Sequence, residues 1–225
     1  MPPLRDSAAF CFTRPDPADV AAPAIALNLP DRAAQGLALL VPLLGCGEEA
    51  AALAFDGLAD AQGASAGALA MIAAEERVHD ALLKRVAAGL PADARAPALL
   101  RASKRFHINL GRGGAALHLG RIAAIDAAVC TIFSRLIRPG TPLGAAPVAR
   151  GLIARIHRDE ANHVRVARTL ARRSMAARPL QAIGAAAREA MAPLLLLGGA
   201  AFEALAVDPD ALARDVARLP KGLYA

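Results

Sequence analysis

A five-residue pattern, an acidic residue followed by Glu-x-x-His, occurs twice in the chain, at positions 75–79 and 159–163. On an α-helix, a step of three residues turns by about 300°, so the Glu and the His of each motif point to one side. Each motif can therefore hold a metal ion between a carboxylate and an imidazole. Two such motifs on separate segments favour a fold in which two helices lie side by side.

The composition also favours helices. Hydrophobic residues make up 56% of the chain and aromatic residues only 3%, so the core must be built from Ala, Leu, Val and Ile, which suit closely packed helices. No sustained alternation of β-branched and polar residues follows position 30. We therefore predict an all-α fold, with one helical domain at 31–225 and an irregular, proline-rich N-terminal arm at 1–30.

Start and stop signals divide this domain into helices. Asp31 offers an N-cap, Pro42 is expected to kink the first helix, and Pro139 with Gly140 ends the third. The four long helices are predicted at about 31–63, 64–88, 113–138 and 146–174, with a short basic segment before position 110. They would form a core bundle at about 31–174, and extra helices at about 180–206 and 209–218 would pack outside it.

The predicted fourth helix places its motif on an apolar side. On a helical wheel, Glu160 and His163 share a side with Ile156, whereas arginines occupy the opposite side. A carboxylate and an imidazole on an apolar face are costly to bury unless a metal ion or a hydrogen-bond network satisfies them. We therefore predict that Glu160 and His163, with Glu76 and His79 of the other motif, bind metal.

Two further carboxylates would complete a bridged pair of ions, one from each remaining long helix. Asp126 is the only acidic residue between Asp93 and Asp159, and the alternative to a ligand role is an ion pair with an arginine. On the first helix, Glu48 shares its face with apolar residues, while Glu49 falls on a face that we expect to meet solvent. We therefore predict Asp126 and Glu48 as ligands.

The predicted ligands together resemble the metal site of the ferritin-like di-iron carboxylate proteins. In that family, a Glu from each of two helices joins a Glu-x-x-His motif from each of the other two. The matching residues here are Glu48, Glu76, His79, Asp126, Glu160 and His163. The resemblance covers about 31–174 and departs from the family at Asp126, where most members have Glu. It implies a ferritin-like four-helix bundle with two iron ions.

The resemblance also implies a role for each of these side chains. One histidine would bind each ion, Glu76 or Glu160 would bridge the two ions, and the two other carboxylates would be terminal or bridging ligands. The acids that precede the motifs, Glu75 and Asp159, would accept a hydrogen bond from the distal nitrogen of the opposite helix's histidine. The alternative for both is an acid on the helix surface. Cys130, one turn after the predicted aspartate ligand, is a candidate for the pocket wall or for plain core.

Oxygen and nitrogen ligands without a thiolate favour iron or manganese over zinc or copper. We predict a di-iron, alternatively dimanganese, oxidase or oxygenase that uses O₂ and an external electron donor to oxidise a small or apolar substrate. The only tyrosine, Tyr224, lies near the C-terminus, so we expect no radical relay through a buried tyrosine. The sequence also lacks a four-cysteine module, which argues against a full-length rubrerythrin.

Two alternatives to the oxygenase stay open. The first is a ferroxidase, a metal-storage protein or a peroxide-scavenging bundle. The second is a helical protein that docks RNA or a membrane, including a tRNA-modifying hydroxylase. The net charge is +6 and the pI about 10.0, which we interpret as a solvated arginine surface rather than a site for nucleic acid or an anionic membrane. A homodimer is compatible with the sequence.

Cysteine spacing and the N-terminus predict the compartment. The three cysteines form no Cys-x-x-Cys pair, so neither a disulfide framework nor a zinc–thiolate site is expected, and a reducing compartment fits. The first residues contain no apolar region of a secretory signal, which makes the cytoplasm the expected location. The uncharged apolar run at 190–202 is too short to span a bilayer as a helix.

Overall fold

The computed structural model describes residues 11–13, 22–61 and 63–225, and within these ranges it contains helices, turns and irregular segments but no strand. The predicted all-α fold is thus confirmed. The helices are α1 (Asp31–Ala61), α2 (Ala66–Ala88), α3 (Ala96–Leu110), α4 (Ala115–Leu136), α5 (Pro142–Ala145), α6 (Pro147–Ser174), α7 (Ala177–Leu197), α8 (Gly199–Ala204) and α9 (Pro209–Ala217), with a 3₁₀ turn (Gly63–Ser65) before α2.

Local chemistry explains where several helices begin and end. The side chains of Thr141 and Asp208 cap α5 and α9 by accepting hydrogen bonds from backbone N–H groups at 3.0 and 2.9 Å. The chain leaves α2 at Gly89, where a Cβ atom would lie only 3.0 Å from the carbonyl oxygen of Ile25. Glycine therefore lets the irregular segment before α1 pass close to the end of α2.

The buried apolar residues form two separate clusters. The four long helices of the bundle, α1, α2, α4 and α6, contribute to both. The first cluster includes Leu40, Leu83, Ile132 and Ile156. The second cluster includes Phe55, Ile72, Ile122 and Ala167. Between its two contributions, each long helix carries buried acidic residues or a Glu-x-x-His motif. A polar layer therefore crosses the bundle at mid-height.

The two clusters also give the direction of each helix. The N-terminal halves of α1 and α6 lie in the first cluster, whereas α2 and α4 reach it with their C-terminal halves. Consequently α1 and α6 run in one direction and α2 and α4 run in the other. Because consecutive long helices α2 and α4 are parallel, the chain must cross the length of the bundle between them, and α3 lies in that crossover.

After α6, helices α7 and α9 pack against α4, whereas α8 packs against α1, and a buried arginine fastens α7 and α9 to α4. Arg188 on α7 is 1% exposed, and it donates hydrogen bonds to the backbone carbonyl oxygens of Ala124 at 3.0 Å, Val216 at 2.5 Å and Asp215 at 3.4 Å. Burial lowers the pKa of its guanidinium to about 10. This side chain joins α4, α7 and the end of α9. The sequence pattern gives no indication that this arginine is buried.

Leu223 and Tyr224 near the C-terminus are buried, contrary to the expectation from their position in the chain. Tyr224 is 0% exposed, and its hydroxyl donates a hydrogen bond to the carbonyl oxygen of Gly120 on α4. A Cβ atom at Gly184 would lie 2.9 Å from the tyrosine ring and hydroxyl, so this glycine makes room for it. The expectation that the chain has no buried tyrosine is therefore wrong.

Residues 11–13 are fastened to α1 at two points. Cys11 and Cys46 form a disulfide, and the Glu49 carboxylate accepts hydrogen bonds from the backbone N–H groups of Cys11 and Thr13 and from the Thr13 hydroxyl. Glu49 is 5% exposed, so the prediction that it faces solvent is wrong. The arm covers that face of α1, and a helical wheel takes no account of residues from elsewhere in the chain.

The disulfide also contradicts the expectation from cysteine spacing. Its two cysteines are 35 residues apart, so no short sequence motif predicts the pair. Disulfides persist mainly in oxidising compartments. The cytoplasmic location stays a prediction that this bond does not favour. Residues 22–30 of the predicted arm are irregular, whereas 1–10 and 14–21 lie outside the described residues.

Three of the described helices, α1, α4 and α7, are long and apolar enough to cross a membrane, judged by length and composition. About half of the apolar stretch in α1 and in α4 is buried inside the bundle (56% in each), and 33% of that in α7. The apolar surfaces of α1 and α4 are thus used in large part to pack the protein interior.

Candidate metal centre

The polar layer at mid-height of the bundle contains every ligand that the sequence predicts. Glu48 comes from α1, Glu76 and His79 from α2, Asp126 from α4, and Glu160 and His163 from α6. Their exposed fractions are 5%, 1%, 1%, 7%, 3% and 0%, respectively. Six ionisable side chains are therefore withdrawn from water between two apolar clusters, a costly arrangement unless other charges or ligands compensate for it.

One half of the layer is organised around His79. Its Nδ1 atom lies 3.3 Å from Glu48 Oε2, 3.4 Å from Glu76 Oε2 and 3.7 Å from Glu160 Oε1. One ligand atom from each of these four residues can be chosen so that all four lie within 4.8 Å of one another. Three carboxylates and one imidazole thus converge from three helices on a volume suited to a single cation.

The other half is organised around His163. Its Nδ1 atom lies 3.0 Å from Glu76 Oε1 and 3.8 Å from Glu160 Oε1, and the two imidazole rings are 6.0 Å apart between centroids. Glu76 therefore presents Oε2 to His79 and Oε1 to His163, while Glu160 Oε1 lies close to both histidines. Both carboxylates are shared between the two halves, as a bridging ligand of two ions would be.

Several polar atoms of the layer are buried without a hydrogen-bond partner among the described residues. They are both carboxylate oxygens of Glu76, Nδ1 of His163 and Oδ2 of Asp126. The 3.0 Å contact between His163 and Glu76 does not have the geometry of a hydrogen bond. Buried polar groups are normally paired, so these atoms fit a cation, and the set of carboxylates and imidazoles fits iron or manganese.

The distal nitrogens of the two histidines contact acids on the opposite helix. His163 Nε2 on α6 lies 2.8 Å from Glu75 Oε2 on α2, and His79 Nε2 on α2 lies 3.1 Å from Asp159 Oδ2 on α6. An acid that accepts a hydrogen bond from the distal N–H leaves the lone pair of Nδ1 free to face the interior. In each pair, the histidine of one motif contacts the acid that precedes the motif on the other helix. Both imidazoles are therefore oriented with Nε2 toward an acid and Nδ1 toward the interior.

The charges of the layer are poorly balanced without a cation. Burial, together with the charge of Glu76, raises the pKa of Glu48 to about 8. Burial, followed by the charges of Glu160 and Glu76, raises the pKa of Asp126 well above its ordinary value. Burial would lower the pKa of His79, but the hydrogen bond with Glu48 and the nearby carboxylate of Glu76 raise it to about 11. The acids thus crowd together more negative charge than the imidazoles can neutralise.

A cavity of about 320 Å³ adjoins the layer, and Glu48, Glu76, Asp126 and Glu160 lie on its wall. The rest of the wall is mostly apolar, with two histidines on it, His107 of α3 and His118 of α4. Both histidines are half-buried. The polar layer therefore borders a mostly apolar cavity.

Cys130 does not line this cavity, and its Sγ atom lies 4.0 Å from the carbonyl oxygen of His157. Burial raises the pKa of its thiol to about 12, so the side chain stays a neutral thiol at physiological pH. Its position agrees better with the alternative of packing than with a place in the pocket.

No protein-family model, no curated protein and no solved structure matches the chain. The candidate metal centre therefore rests on the chemistry of the sequence motifs and on the convergence of their side chains in the polar layer.

Proposed function

We propose that the chain binds two iron ions, or alternatively two manganese ions, in the polar layer and uses them with O₂ to oxidise a small or apolar substrate. The observation that carries the proposal is the position of Glu76, whose two oxygens face the Nδ1 atoms of His79 and His163 at 3.4 and 3.0 Å. A carboxylate shared in this way between two imidazoles is suited to bridging two cations.

The topology of the bundle supports the ferritin-like resemblance. The first and last long helices run one way, the two middle ones run the other way, and one long crossover joins the middle pair. Ferritin-like bundles have one such crossover, whereas simple up-and-down bundles have none. The same topology brings the two Glu-x-x-His motifs, on α2 and α6, to the same height from opposite directions.

In this proposal the side chains divide the work. His79 and His163 bind one ion each, Glu76 and Glu160 lie between them, Glu48 completes the half around His79, and Asp126 stands beside the half around His163. The acids on the distal nitrogens fix the ring orientation, and the apolar cavity wall keeps water from the site. A pair of reduced iron ions supplies two electrons to O₂ when bound, and an external donor restores them.

The apolar cavity favours an organic substrate over metal storage. A storage protein needs an acidic route to a hollow interior, whereas the space beside these carboxylates has a mostly apolar wall. A basic protein surface, with a net charge of +6, also offers little attraction to incoming cations.

An anaerobic titration with Fe(II), followed by exposure to O₂, tests the proposal. We expect two iron ions per chain by elemental analysis, Mössbauer signals of carboxylate- and imidazole-bound iron, and O₂ uptake on exposure. Glu76→Ala and His163→Ala should each lose bound iron, whereas Glu189→Ala, on an exposed position of α7, should retain it. Unchanged iron content in the first two variants would show that the residues are wrongly assigned.

A further inference from the structure

The cavity beside the polar layer is long and narrow. Its wall includes residues from Leu40 to Ala54 of α1 and from His118 to Leu136 of α4, so it extends for about 21 Å along α1 and about 27 Å along α4 at a rise of about 1.5 Å per residue. Residues of α3 and α7 close it from the sides. A volume of about 320 Å³ spread over this length suits an extended molecule.

The two ends of the cavity differ. One end lies within the first apolar cluster, where Leu136 and Phe202 of its wall are 0% and 1% exposed. At the other end, Leu53 and Ile108 are on the wall and yet 47% and 48% exposed. Large apolar side chains exposed around an opening suit the entry of an apolar molecule. The cavity thus has a closed apolar end and an open end with an apolar rim.

Of the two imidazoles on the wall, His118 lies toward the open end and His107 lies at the height of the polar layer, and neither has a hydrogen-bond partner among the described residues. His118 lies on the cavity wall and also on a second pocket that continues past Leu53, and His107 lies next to Gly47 of α1, one residue before Glu48. Both are half-buried, and no described residue hydrogen-bonds to either ring. Each ring nitrogen is therefore available to a polar group of a bound molecule.

The carboxylates of the polar layer lie between these two ends. Asp126 is eight residues after His118 and ten residues before Leu136 on the same helix, or about 12 Å from one and about 15 Å from the other. A molecule that fills the cavity would therefore pass the carboxylates with its middle part. Its two ends would lie beyond their reach.

We propose that this cavity binds an unbranched alkyl chain that ends in a hydrogen-bonding group such as a carboxylate or a hydroxyl. The chain enters through the rim of Leu53 and Ile108, its apolar end reaches Leu136, and its polar end stays with His118. The interior carbons then face the polar layer. Oxidation at those carbons rests on the proposed function, whereas binding of the chain does not.

Binding can be measured on metal-free protein with cis-parinaric acid, a long-chain polyene acid that becomes fluorescent in an apolar site. Octanoate, dodecanoate and hexadecanoate should displace it with increasing affinity, by up to about fourfold for each CH₂ group buried. The increase should stop when the chain reaches the closed end. Absence of probe binding, or equal affinity for all three acids, would overturn the proposal.

Two substitutions locate the binding site. Ala51→Phe fills part of the cavity and should weaken probe binding more than tenfold, while Ala70→Phe, on an exposed position of α2 away from the wall, should leave it unchanged. His118→Phe keeps an aromatic ring and should weaken binding of dodecanoate more than binding of dodecane. Circular dichroism checks that each variant is folded, and equal binding by Ala51→Phe and Ala70→Phe would place the probe elsewhere.

The outcomes for metal and for the alkyl chain are separable. Chain binding without iron binding would refute the proposed oxidation and leave the alkyl site standing. Iron binding with O₂ uptake but without displacement by any of the acids would refute the alkyl site alone.

Discussion

Replacing Asp126 by Asn should stabilise the metal-free protein at neutral pH. The carboxyl group is 7% exposed, its Oδ2 atom has no hydrogen-bond partner among the described residues, and its pKa is raised well above the ordinary value. Burial is the largest cause, and the charges of Glu160 and Glu76 add to it. Asn keeps nearly the same shape but carries no charge to bury.

The size of the effect follows from proton linkage. Because the folded state binds a proton more tightly than the unfolded state, the wild-type protein loses stability as pH rises from the unfolded pKa of about 3.9 toward the raised folded pKa. Each pH unit in that window costs about 1.4 kcal/mol, so Asp126 costs at most about 4 kcal/mol at pH 7. Relaxation of the neighbouring carboxyl groups should reduce this cost to about 1–3 kcal/mol.

Urea unfolding of metal-free protein between pH 4 and pH 8 measures this difference. The advantage of Asp126→Asn should be near zero at pH 4 and grow as pH rises. Asp210→Asn, an exposed position at the start of α9, is the matched control and should change stability by less than about 1 kcal/mol at every pH. If Asp126→Asn destabilises the protein at pH 7, or if its effect is the same at both ends of the range, the reasoning is wrong.

The same variant decides whether Asp126 is a metal ligand. A metal ion that binds only the folded state stabilises it by about 2.7 kcal/mol at a free concentration one hundred times its Kd. If Asp126 is a ligand, Asp126→Asn should gain less than the wild type from added Mn(II), and the order of stability should reverse. Equal gains in the two proteins would assign Asp126 to a purely electrostatic role.

Three further substitutions test other contacts. Glu75→Gln replaces the charged acceptor on the distal nitrogen of His163 by a neutral amide and should weaken metal binding about 10–100-fold in a calorimetric titration, with unchanged stoichiometry. Cys46→Ser opens a loop of 35 residues and should cost about 3–4 kcal/mol in urea unfolding, a loss that a thiol reductant should reproduce in the wild type alone. Phe55→Ala empties a fully buried position beside His163 and should lower the free energy of unfolding by about 3–5 kcal/mol.

The helices and the convergence of the motifs could be predicted because both follow from local periodicity. The first helix was expected over about 31–63 and is observed as Asp31–Ala61, since capping and stop signals lie in the residues themselves. Glu76 and His79 share a side because of helix geometry alone. This side of the helix faces the interior of the bundle because the apolar residues that share it with the motif are buried there.

The errors concern contacts between residues distant in the sequence. Glu49 was placed toward solvent by its position on α1, but residues 11–13 cover it and donate to its carboxylate. The disulfide partner of Cys46 lies on the same arm, and Tyr224 returns from the C-terminus to α4. The cavity wall likewise depends on how α3 and α7 close over α1 and α4, and no periodicity within one segment encodes that.

The polar layer also bears on how the protein unfolds. It separates the apolar interior into two clusters, and each long helix contributes to both. Without cations the electrostatic repulsion at the layer weakens the connection between them, so amides on the two sides should exchange with solvent as separate cooperative units. Ions held by Glu76 and Glu160 would join the two units into one, and the rate at which backbone amides exchange would then report occupancy of the centre along the whole length of the bundle.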